Sequence, residues 1–133
     1  MKPVIEFRNY KITKINYRSV DNISELDPFK ENDRKISLSV GLTEEKDNAR
    51  LIVATTIIDE ENLRVAEIEV TGYFDINPEV SEEDIEGYLV QNGTAILFPY
   101  MRATVSFITS LDNEKAVILP TINTTNFNDG GEE

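Results

Sequence analysis

Ile36, Leu38, Val40 and Leu42 alternate with Lys35, Ser37, Ser39, Gly41 and Thr43. A repeat of two marks a half-buried strand, because successive side chains of an extended chain point to opposite faces. The turn TEEKDNAR then leads to LIVATTII, where β-branched residues on both parities predict burial on both faces. After the linker DEEN comes LRVAEIEVTGYF, with Ala66, Ile68, Val70 and Phe74 on one face and Val65, Glu67, Glu69, Thr71 and Tyr73 on the other. Connections this short and polar join antiparallel neighbours, so the segment reads as a meander. Gly72 would weaken a plain strand and predicts a bulge or a close backbone approach.

Upstream, residues 3–18 read as a first strand. Ile5 and Phe7 lie on one parity and Tyr10 and Ile12 on the other, which predicts a bulge near Asn9. Residues 19–34, SVDNISELDPFKENDR, are rich in turn formers and read as a long crossover loop.

Downstream the period becomes helical. Ser81 with Asp84 three residues on is an N-cap arrangement, and Val80 and Ile85 suit a hydrophobic staple. Ile85, Tyr88 and Leu89 form the expected buried stripe, with Asn92-Gly93 as the stop. A second helix is predicted from Thr94 to Leu111. Ile96, Tyr100, Ala103 and Phe107 make one seam; Leu97, Met101, Thr104, Ile108 and Leu111 lie beside it. Pro99 lacks a backbone donor, so this helix either starts or kinks there. AVILPTINTTNF follows as an extended apolar segment, and residues 128–133 as a disordered acidic tail.

The fold class is therefore α+β: a four-stranded antiparallel sheet covered on one face by a long helix, forming one domain over residues 1–127. One helix cannot cover all the apolar side chains of such a sheet, and self-association is the expected remedy.

Composition limits the chemistry. The 133 residues include no Cys and no His, which removes disulfides, thiolate nucleophiles and the commonest metal ligand and general base. No catalytic residue, metal site or cofactor is expected, and the protein reads as a non-enzyme. A net charge of −12 argues against nucleic acid as a partner. With no signal segment and no apolar run long enough to span a bilayer, a cytoplasmic protein off the membrane is expected. Charge is uneven: Lys2, Arg8, Lys11, Lys14 and Arg18 face only Glu6 within the first 19 residues. Asp59-Glu60-Glu61 fits no calcium loop and reads as a solvated turn, whereas Glu67 and Glu69 share a strand face that reads as wetted or as a docking patch.

ILFPYMRATVSFITS followed by ILPTIN resembles the SecB export-chaperone superfamily. Leu97, Phe98, Pro99, Tyr100 and Arg102 match its helix motif, Leu119, Pro120 and Asn123 its later Pro-containing loop, and Gly72 and Phe74 the end of its fourth strand. The resemblance covers residues 3 to about 127. It implies dimers that pair into tetramers, and a hydrophobic groove that holds unfolded or partner polypeptides. Phe29, Tyr73, Phe74, Tyr100 and Ile122 would line that groove. It also implies a partner-docking surface at Lys14, Arg18, Val65 and Glu67. Lys14 and Arg18 stand where exporters present acidic residues to the SecA motor, and the family's C-terminal helix has no counterpart after Phe127, so SecA docking is not expected. The short form is similar to small SecB-like proteins of Gram-positive bacteria. Two other roles fit the same residues: a chaperone dedicated to one client, as in toxin–antitoxin systems, or a self-assembling structural protein without a client.

Overall fold

The structure, a computed structural model, describes residues 3–45 and 47–120. Strands β1 (Ile5–Ser19), β2 (Ile36–Leu42), β3 (Asn48–Asp59) and β4 (Arg64–Ile76) form one sheet in the order β1-β4-β3-β2. All three pairings are antiparallel. The chain thus crosses the whole sheet between β1 and β2, then returns strand by strand.

Register shifts between Phe7 and Asn9 and between Ile12 and Lys14 interrupt the β1–β4 ladder. The first is the bulge expected near Asn9. The second lets Ile12 and Ile15, three residues apart, share a face with Phe7 and Tyr10, because an extra residue in one strand flips the alternation.

The crossover is more ordered than its turn-forming composition suggests. Residues Ile23–Asn32 form a 3-10 helix. Leu26 is completely buried there and forms a small apolar cluster with Ile58 and Val65, flanked by Val20 and Phe29. This cluster is separate from the main core and pins the crossover to the sheet face opposite the helices.

Helix α1 (Glu82–Tyr88) starts as expected, with Ser81 Oγ accepting from the backbone N–H of Asp84. Asn92-Gly93 does not end it. Leu89–Gly93 make a π-helical turn that runs directly into α2 (Thr94–Thr109), and Gly93 keeps right-handed helical angles. Pro99 lies inside α2, and α2 ends two residues before Leu111.

The core lies between the helices and one sheet face. Leu51, Val53, Ile68, Val70 and Phe74 meet Ile85, Leu89, Leu97, Met101, Val105 and Ile108. Two glycines permit this approach: a Cβ on Gly72 would lie 2.7 Å from Leu97, and one on Gly93 2.9 Å from Leu51. The close contact expected at Gly72 is therefore with Leu97. Tyr88, expected in the buried stripe, is exposed. The expected seams also differ in depth, because α2 settles on Leu97, Met101, Val105 and Ile108 and leaves Tyr100 and Phe107 outside.

After α2 the chain turns back along it. Val117 N–H donates to Thr109 Oγ1, Ser106 Oγ donates to the Val117 carbonyl, and Arg102 Nε donates to the Leu119 carbonyl. No helix among the described residues is long and apolar enough to cross a membrane.

Candidate functional site

Because paired residues of adjacent strands share a face, the register sorts the expected site residues. Tyr10, Ile12, Ile15 and Tyr17 of β1 pair with Gly72, Val70, Ile68 and Ala66, so they lie on the helix side of the sheet. The helix does not reach over them all: Tyr10, Ile12 and Ile15 keep 36–46% of their surface. From α2, the Tyr100 ring stacks on Tyr10 with centroids 4.0 Å apart and planes 20° apart. Phe107 lies two turns further along the same helix face and is 64% exposed. A strip of exposed apolar side chains therefore lies along β1 and α2.

Polar contacts tie the end of α2 to the sheet. Asp112, just past α2, accepts from the Tyr17 hydroxyl at 2.7 Å and from Arg64 Nε and Nη2 at 3.0 and 2.9 Å. These donors hold the Asp112 carboxyl below its usual range, with Tyr17 the larger cause. Burial, helped by that hydrogen bond, raises the Tyr17 phenol. Alongside the exposed strip runs the outer backbone edge of β1, which pairs with no strand among the described residues.

The other residues expected to line a groove do not converge on this strip. Phe74 is a core side chain with 1% exposure, packed near Phe7. Tyr73, its neighbour in sequence, points to the opposite sheet face, where Lys11 Nζ lies 5.9 Å from its ring centroid. Phe29 lies under Arg18, whose guanidinium carbon is 5.4 Å from the ring centroid. Ile122 falls outside the described residues.

The expected docking residues divide in the same way. Val65 is completely buried under Leu26 and is closed to a partner in this arrangement. Lys14 pairs at 3.8 Å with Glu67, which also accepts from Asn16. Both belong to the outer sheet face. On its strands and at their ends Arg8, Lys11, Lys14, Arg18, Lys35 and Arg50 stand against Glu6, Glu67, Glu69 and Asp75, and the crossover packed on the same face adds Asp21, Glu25, Asp27, Glu31 and Asp33 against Lys30 and Arg34. Arg8 pairs with Asp75, and Glu69 accepts from Thr13. Among the described residues, Lys35 and Arg50 make no ion pair.

The SecB family, described as preprotein translocase subunit SecB, matches residues 19–128. The chain belongs to this family. A relative from Methanocaldococcus jannaschii, an uncharacterized protein, is 31% identical over 133 residues, covering 92% of this chain and 81% of its own. The fold is shared with a SecB-like chaperone of Mycobacterium tuberculosis, solved in complex with a ChAD peptide from the HigA1 antitoxin. That match has a TM-score of 0.70 at 16% identity and covers 89% of this chain and 90% of the other. A Streptococcus agalactiae protein of unknown function matches with a TM-score of 0.56 at 13% identity, covering 88% of this chain and 97% of its own. The SecB-like resemblance and the α+β architecture are thereby established.

Proposed function

We propose that this chain is a non-enzymatic, SecB-like chaperone that buries apolar segments of other polypeptides in the trough between β1 and α2. The observation that carries the reading is the row of exposed Tyr10, Ile12, Ile15, Tyr100 and Phe107 beside an open strand edge. A contiguous apolar surface of this kind is uncommon on a monomer and marks an interaction site. The outer edge of β1 pairs with no strand among the described residues, which suits pairing with a second copy. The α2 half offers aromatic and aliphatic contact without fixed polar partners, which suits client segments of little sequence preference.

Membership in the SecB family supports this reading. The test is suppression of aggregation of a chemically denatured protein, read by turbidity, together with molar mass by light scattering with and without that client. The reading expects an oligomer that takes up client mass. A monomer without suppression contradicts it.

The mycobacterial neighbour, solved in complex with an antitoxin peptide, favours a narrower form in which one dedicated client occupies the site. Co-purification decides between the two forms: many unfolded proteins for the broad one, a single stoichiometric partner for the narrow one.

A further inference from the structure

The crossover lies over the outer sheet face as a strap with its own small foothold. Its 3-10 helix, Ile23–Asn32, contains Pro28 and has no side-chain cap at Asn22, and hydrogen bonds in such a helix are poorly aligned. Beneath it Leu26 sits on Ile58 and Val65, which pair across β3 and β4, while Val20 and Phe29 flank the contact. These residues form a cluster apart from the main core. A unit with so few buried apolar side chains opens at a lower free-energy cost than the domain as a whole.

Both ends of the strap are fastened through strained backbone. At its entry the Val20 N–H donates to the Leu63 carbonyl, and at its exit the Arg34 N–H donates to the Thr56 carbonyl. Leu63 and Arg34 have φ of 56° and 62°, the left-handed region that residues other than glycine rarely adopt. Charge pushes the same way. The crossover carries Asp21, Glu25, Asp27, Glu31 and Asp33, and the end of β3 and the turn after it carry Asp59, Glu60 and Glu61. Lys30 clasps the two together, 3.2 Å from Asp27 and 3.3 Å from Glu60.

We infer that the crossover is an autoinhibitory strap that opens as a unit at Val20 and Arg34, and that the seat Leu26 leaves on Ile58 and Val65 then takes an aliphatic side chain of a bound polypeptide. Leu26 itself shows the chemistry that fits, one branched aliphatic group against two others. The inference rests on the polypeptide-binding reading above and adds a second, gated contact on the opposite face of the sheet. Val65, closed to a partner while the strap is shut, becomes the centre of that contact. A polypeptide that binds only the open form shifts the equilibrium toward it, and the shut fraction lowers its apparent affinity.

The chain has no cysteine, so a single Val65→Cys reports opening through its rate of labelling by a maleimide. Val70→Cys, equally buried but in the main core, is the reference, and Ile58→Cys is a second reporter should Val65→Cys not fold. Position 65 is expected to label at least about tenfold faster than position 70. Lys30→Glu sets a carboxylate against Asp27 and Glu60 and should speed labelling at 65 by about fivefold, and adding Glu60→Lys should reverse most of that gain. The probe for the partner is reduced, carboxymethylated α-lactalbumin, which stays unfolded and has no free thiol. It should bind the Lys30→Glu protein about threefold more tightly than the parent, since less of that protein is shut. At saturation it should slow labelling of Val65→Cys in the Lys30→Glu protein by about tenfold, because a client side chain then covers the seat.

Labelling at 65 as slow as at 70, or labelling that the unfolded protein leaves unchanged, overturns the inference. So does an affinity for that protein unaltered by Lys30→Glu. Aggregation suppression by the parent chain separates the two readings. If suppression persists while the probe gives no protection at 65, only this inference falls; if suppression is absent, the polypeptide-binding reading falls with it.

Discussion

A Cβ at position 72 would lie 2.7 Å from Leu97 Cδ1 and 2.8 Å from Leu97 Cδ2, so β4 and α2 meet with no room for a methyl group. Gly72→Ala is expected to destabilise the fold by about 1–3 kcal/mol, the usual cost of overpacking a core. Adding Leu97→Ala should recover part of that loss, since the two changes share one contact. Urea denaturation of both single variants and the double variant checks this, and strictly additive losses would contradict it.

Thr94 is fully buried at the junction between the π turn and α2, and its hydroxyl has no hydrogen-bond partner among the described residues. Replacing an unsatisfied buried hydroxyl with a methyl removes a desolvation cost. Thr94→Val should therefore raise stability by about 1 kcal/mol. The readout is the denaturation midpoint at unchanged slope.

Leu26 holds the crossover to the sheet through its own small cluster, apart from the main core. Leu26→Ala is expected to cost about 2–5 kcal/mol locally, as truncations of buried leucines do. Hydrogen exchange should show lost protection across residues 23–32 while β3 and β4 stay protected, because the cluster opens as a separate unit.

Asp112 joins the end of α2 to Tyr17 and Arg64. Its carboxyl is held below its usual range, so the folded state favours the ionised form. Stability from this group is present above the ordinary aspartate range, near 3.9 in the unfolded chain, and is lost as pH falls through the depressed folded value. Asp112→Asn should thus be less stable than the parent protein at neutral pH. The gap should close under strong acid, as thermal melts over a pH series would show.

Several of these features were legible in the residues. The parity change before Asn9 marked the first bulge, Ser81 marked the start of α1, and Gly72 marked a close approach. The second bulge was also encoded, since Ile12 and Ile15 share a face only if one residue is inserted between them. The order in the crossover was hidden because Leu26 is held by residues distant in sequence. Asn92-Gly93 reads locally as a stop, yet Gly93 is used for its small size against Leu51 and Phe74, and the helix continues. Part of the site could also have been sorted in advance. Tyr73 and Phe74 are adjacent on a strand and must face opposite sides, so they could not line one groove. That Tyr100 would meet Tyr10 depended on where α2 lies across the sheet, which no local pattern records.

The proposed trough between β1 and α2 is tested most directly by site-specific photocrosslinking. A benzophenone side chain replaces either Phe107, in the trough, or Tyr88, which is 45% exposed on α1. In the presence of a denatured client, position 107 is predicted to capture polypeptide, either the client or a second copy, and position 88 to stay largely unreacted. Equal capture at both positions, or capture at 88 alone, would contradict the account.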